Sequence, residues 1–167
     1  MPSAKAAWSG RATASYRWWM LALGGLVAVM GAAIAVALAN NEVAAAWGSA
    51  LLCVAVGAFV SWSAINFGSV VLVLDGAGVH VSFGPWSWPR RDLPWAGVTA
   101  ARVVDVRAWP WGGWGMRWRP GDGTAALVRQ GPGVEFTLTS GKVLVVTLDD
   151  ADAAAAASRT WLASHHD

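Results

Sequence analysis

Trp109, Trp111, Trp114 and Trp118 fall within ten residues, interleaved with Gly112, Gly113 and Gly115 and flanked by Arg107, Arg117 and Arg119. Indoles favour the boundary between apolar and aqueous phases, and guanidinium groups grip phosphate or carboxylate with paired donors. Such a tract suits a surface that docks on membrane lipid or on a protein partner. The same residues admit a plainer role, in which the tryptophans fill and close a small β core while the arginines face water. Met116 and Trp118 share one strand parity, which predicts Trp118 inside. Trp111 and Trp114, set among Pro110 and the glycines, are expected on an exposed loop. A second cluster, Trp86, Trp88, Arg90 and Arg91, reads equally as an interfacial loop or a plain one. The glycines are turn formers and not a phosphate loop, since no Lys-Ser or Lys-Thr follows them.

Other chemistries lack their residues. His80, His165 and His166 are scattered, and no cysteine or acid pair accompanies them, so no metal site is expected. His165 and His166 read as a frayed helix end. Cys53, the single cysteine, lies in an apolar run as a small residue facing lipid or a helix, with no disulfide partner. No Ser/His/Asp or Cys/His arrangement has supporting context. The expectation is a protein that is not an enzyme and uses no cofactor.

The elements that would carry these residues follow from composition. Charged residues are 13% of the 167 and the hydrophobic group is 56%. So few charges cannot coat a soluble globule, and so much apolar mass excludes disorder. Trp18 to Ala39 is an uncharged run of 22 residues. At 1.5 Å per residue it reaches about 33 Å, enough for a bilayer core. Ala44 to Phe67 is a second such run, and the linker Asn40 to Val43 permits only a tight hairpin. Trp18, Trp19, Trp47 and Trp62 mark the expected interfaces.

Gly24, Ala28 and Ala32 line one face of the first span, and Gly57 and Ser61 recur on the second. These small residues let helix backbones approach, either within the hairpin or in a homo-oligomer or larger complex. Neither span holds an acidic, basic or histidine residue, so a channel or transporter is not expected. Lys5, Arg11 and Arg17 precede the first span, and the hairpin loop carries only Glu42. The positive-inside rule then predicts a basic cytoplasmic N-terminus (1–17), a transmembrane hairpin (18–67) and a cytoplasmic domain (68–167) on the plasma, or inner, membrane. Ala37-Leu38-Ala39 resembles a signal-peptide cleavage site, but the apolar run is too long and a second span follows at once.

From residue 68 onward nine basic side chains balance nine acidic ones, which disfavours nucleic acid as a partner. Alternation at Val79, Val81 and Phe83 and at Val134, Phe136 and Leu138, with Gly/Pro punctuation, predicts about seven short antiparallel strands. Asp149 and Asp150 then cap an Ala-rich helix from Ala151 to about Ser164.

This order after a two-helix hairpin resembles the bacterial pleckstrin-homology-like domains of small membrane proteins. The resemblance lies in Val73-Leu74-Asp75-Gly76-Ala77-Gly78-Val79-His80-Val81, in Arg90-Arg91-Asp92-Leu93-Pro94-Trp95-Ala96-Gly97-Val98, and in the Trp109–Arg119 tract. It implies two near-orthogonal sheets plugged by a C-terminal helix, and no single activity. Trp95 departs from it, standing where a more polar turn residue is expected. The expected role is a non-catalytic, membrane-anchored binding or scaffolding protein; the alternative is an accessory subunit assembled through its transmembrane helices.

Overall fold

The computed structural model of the chain describes residues 8–38 and 43–166. Ser15–Gly68 forms one compact unit, and the residues before and after it together form the other.

The first unit is two helices, α1 (Arg17–Leu38) and α2 (Val43–Phe67). Both are long and apolar enough to cross a membrane. Gly24 lies against Gly57 and Ser61, and Gly31 against Cys53, so the pairing runs in opposite directions along the two helices. A Cβ on Gly57 would stand 2.6 Å from the Gly24 carbonyl oxygen and 3.2 Å from Ala28 Cβ. Backbone cannot yield that space, so the small residues set the close approach. Ala32, expected on the same stripe, is instead exposed, and Gly31 takes the inward position. The hairpin linker at residues 40–42 lies outside the described residues.

The second unit opens with a strand that the sequence reading did not contain. Within the segment read as a basic N-terminus, β1 (Trp8–Thr13) pairs antiparallel with β2 (Ser69–Leu74). Then follow β3 (Gly78–Phe83) and β4 (Arg90–Pro94), giving a four-stranded sheet in the order β1-β2-β3-β4. The second sheet contains β5 (Val98–Val106), β6 (Gly115–Arg119), β7 (Gly123–Leu127), β8 (Gly131–Leu138) and β9 (Val143–Thr147). Its order is β5-β8-β9-β7-β6, antiparallel except for the parallel pair β7 and β9. The expectation of about seven strands, all antiparallel, is therefore corrected to nine among the described residues, with one parallel pair. Arg90 and Arg91, read as part of a loop, begin an edge strand that runs to Pro94.

Period-two alternation fills the core. Val70, Leu72 and Leu74 on β2, Val79, Val81 and Phe83 on β3, and Val134 and Phe136 on β8 are all buried. Gly78 is where two strands crowd: its φ of +153° is hostile to a side chain, and a Cβ there would meet the Leu93 carbonyl. Helix α3 (Ala151–His166) buries Ala151, Ala154, Ala155, Ser158 and Leu162, a single stripe at helical spacing, and packs on β5, β8 and β1. The Asp150 carboxylate accepts from the Ala153 amide at 3.3 Å and caps it.

Trp95 is the largest fully buried side chain. Its Nε1–H donates to the Asp75 carbonyl at 2.6 Å, and its ring stacks on Trp161 of α3 with centroids 6.2 Å apart. The residue that departs from the expected polar turn is thus the bolt between helix and sheet. His165, in the last turn of α3, has its ring centroid 5.9 Å from that of Trp161 and 6.2 Å from that of Trp95.

Candidate functional site

Strand connectivity gathers the loops of the β unit at defined ends. In the first sheet, Thr13 faces Ser69, and the Gly84 amide donates to the Ser69 carbonyl at 3.0 Å. The loop of residues 84–89, which carries Trp86 and Trp88, therefore lies at the end where the chain departs for α1 and returns from α2. In the second sheet, register puts the β5–β6, β7–β8 and β9–α3 connections at one end. There the Asp149 amide donates to the Arg11 carbonyl at 3.3 Å, close to the finish of β1.

The Trp/Gly/Arg tract divides in a way opposite to expectation. Trp111 and Trp114 are half-buried against Val104, Val106, Ala108, Ala125, Leu127, Val143 and Val145, the outer face of the second sheet. Trp118 is 69% exposed. Its parity with Met116 was read correctly, since both share the face of Ala126, Val146, Phe136 and Leu144. But β6 is the edge strand, and Trp118 falls beyond the reach of the core. Conversely, the glycine-rich loop folds back over a sheet face that would otherwise be bare. Trp109 alone of the tract is almost fully open, at 91%. Arg117 is exposed, and Arg119 donates to the Pro110 carbonyl at 3.2 Å while pairing with Asp122 at 3.0 Å, which pins the loop. A shallow groove of about 220 Å³ runs beside it, lined by Val104, Arg107, Trp111 and Glu135 among others.

Trp86 and Trp88 are exposed at 59% and 61%. Their loop is held by hydrogen bonds from the Phe83 amide to the Pro89 carbonyl and from the Trp88 amide to the Phe83 carbonyl, both 3.1 Å. Arg90 and Arg91, placed in a loop by the sequence, stand on β4. Arg91 is exposed, whereas Arg90 Nε donates to both oxygens of Asp92 at 2.8 and 2.9 Å.

One grouping escaped the sequence reading. His80 does point outward, but acids flank it: Nδ1 lies 2.6 Å from Asp92 Oδ1 and Nε2 3.2 Å from Asp75 Oδ1. Only the doubly protonated ring donates to both. Asp75 Oδ1 also accepts from the Ala77 amide at 2.8 Å and the Gly78 amide at 3.2 Å. Partial burial raises the Asp75 pKa, but the hydrogen bonds from Ala77, His80 and Gly78 outweigh it and hold the carboxyl below its ordinary value. Asp92 is held below its ordinary value by the hydrogen bond from His80 and then that from Arg90. A pocket of about 360 Å³ opens here, lined by Val73, Asp75, Ala77, His80, Ser82, Ser87 and Arg90. Both ring nitrogens of His80 thus lie within hydrogen-bond reach of a carboxylate. Among the described residues no group of three His, Cys, Asp or Glu side chains could hold a metal ion. The available signal was cross-strand register, which sets His80 opposite Asp92.

Of the helix residues, Gly24, Ala28, Gly57 and Ser61 meet one another inside the hairpin. Ala32 lines a separate apolar cleft of about 590 Å³ with Ala35, Val36, Trp47, Ala50, Leu51 and Val54. No protein-family model, curated protein or solved structure matches the chain.

Proposed function

We propose that this chain is a non-catalytic, membrane-anchored binding module: a transmembrane hairpin carrying a cytoplasmic, pleckstrin-homology-like β domain that docks on lipid or on a protein partner. The observation that carries it is that the two apolar helices interrupt a β-hairpin, with β1 and β2 paired on either side of them. Strands from both flanks share one sheet, so both flanks belong on one side of any bilayer that the helices cross. Lys5, Arg11 and Arg17 favour the cytoplasmic side. Support for the fold reading comes from two sheets followed by a helix packed on β5 and β8. Assembly of a larger complex through the helices has less support, because the small residues of the stripe are largely used within the hairpin.

The test is a pair of reporter fusions at the C-terminus of the full chain, with membranes washed in alkaline carbonate. The protein should stay with the membrane, an alkaline phosphatase fusion should be inactive, and a fluorescent-protein fusion should be bright. Release by carbonate would overturn the anchoring, and active phosphatase the orientation.

A further inference from the structure

We infer that the loop of residues 84–89 is an interfacial anchor, with Trp86 and Trp88 entering the headgroup layer of the leaflet at which α1 begins and α2 ends, and Arg11 and Arg91 meeting anionic lipid phosphates. The inference rests on the reading that α1 and α2 cross a membrane.

Three observations converge on it. The loop lies at the end of its sheet from which the chain leaves for the helices, since Gly84 bonds to Ser69 and Ser69 faces Thr13. Only residues 14–16 separate β1 from α1, and only Gly68 separates α2 from β2. The second observation is the exposure of both indoles on a loop closed by backbone hydrogen bonds. Two neighbouring, largely exposed indoles on a fixed loop leave apolar surface in water unless something covers it. Trp18 and Trp19, in the first turn of α1, are likewise open. Indoles on both sides of such a short tether match the interfacial belt. The third is charge. Arg11 and Arg90 occupy one cross-strand row through Val71 and Ser82. Asp92 pairs with Arg90, and Arg91, one residue on, lies in the Val81 row on the other face, so Arg11 and Arg91 are exposed cations on the two faces of the sheet near the loop.

The test uses the full chain with Cys53 replaced by alanine and one cysteine introduced at a time, each labelled with an environment-sensitive fluorophore. The three sites are S87C in the loop, L23C on the outer face of α1, and S140C in the β8–β9 turn at the opposite end of the second sheet. The protein is reconstituted in phosphatidylcholine vesicles containing phosphatidylglycerol and a lipid spin-labelled near the top of its acyl chain. Emission should be lost at S87C and L23C and kept at S140C. Adding W86A and W88A to S87C should restore its emission, and R11E with R91E should weaken quenching only when phosphatidylglycerol is present. Quenching at L23C without quenching at S87C overturns the anchor, frees the loop for a protein partner, and leaves the membrane reading standing. No quenching at L23C overturns the membrane reading and the anchor together. Equal quenching at S87C and S140C overturns the assignment of a lipid-facing end.

Discussion

Thr13 stands directly opposite Ser69 in the first sheet, with the entire helical hairpin between them in sequence. The β unit is therefore discontinuous in sequence: the strand before the helices joins the segment that starts at Ser69. β1 covers one edge of β2, and Ala12 and Ala14 are buried with it. A fragment of residues 69–167 has lost that cover and presents the hydrogen-bonding edge of β2, a template for aggregation.

The expected outcome is that residues 69–167 alone melt lower and self-associate, whereas residues 8–14 joined to Ser69 through an Asn-Gly turn give a monomer with a cooperative melt. Sizing chromatography and circular dichroism of the two fragments decide it. Identical behaviour would mean that β1 contributes nothing to the fold.

Trp118 and the pair Trp111 and Trp114 should separate in stability. Trp118→Ala removes an open side chain and should change stability by no more than about 0.5 kcal/mol. Trp111→Ala with Trp114→Ala uncovers the outer face of the second sheet and should cost roughly 1–3 kcal/mol for each half-buried ring. Thermal melts of the two variants in detergent read the difference. A larger loss in Trp118→Ala would contradict the edge position of β6.

What was legible in the sequence was whatever repeats within a few residues. The two helices lie within a residue of their expected bounds, and β3 and β8 appear where the alternation at Val79, Val81 and Phe83 and at Val134, Phe136 and Leu138 announced them. The Ala-rich helix and its Asp150 cap were equally local. What was missed depends on distant partners. Trp8, Gly10 and Ala12 do alternate with the exposed Ser9, Arg11 and Thr13, but so weakly apolar a strand is stable only beside β2. The parity of Trp118 was local and correct, while its exposure is set by strand order. Asp75 and Asp92 reach His80 from a turn and a neighbouring strand, which no spacing within one element reveals.

The carboxylates around His80 give the β unit an acid limb. Hydrogen bonds hold Asp75 and Asp92 below the ordinary aspartate value of 3.8. A folded pKa below the unfolded one stabilises the fold fully above the unfolded value, and that contribution is lost as pH falls through the folded one. The loss therefore falls at and below pH 3.8, and it is modest because both side chains are well exposed. Asp92→Asn should start less stable at neutral pH and lose less between neutrality and strong acid. Melting temperature against pH for both proteins is the measurement, and parallel curves would remove Asp92 from the acid limb.

Gly57 and Ala32 should answer differently to the same enlargement. A side chain on Gly57 runs into the Gly24 carbonyl and Ala28, and neither backbone can move without parting the helices. Ala32 is exposed on the rim of the apolar cleft, where a leucine adds bulk to open space. Gly57→Leu should therefore lower the melting temperature of the detergent-solubilised chain by several degrees, while Ala32→Leu leaves it unchanged. The pair also bears on assembly through the helices. If a homo-oligomer or a larger complex packs on the cleft, Ala32→Leu should dissociate it without touching the melt of the isolated chain. Sizing chromatography in mild detergent beside the melts separates the two effects. An Ala32→Leu chain that keeps both its melt and its assembly size would confine the role of the small residues to the hairpin itself.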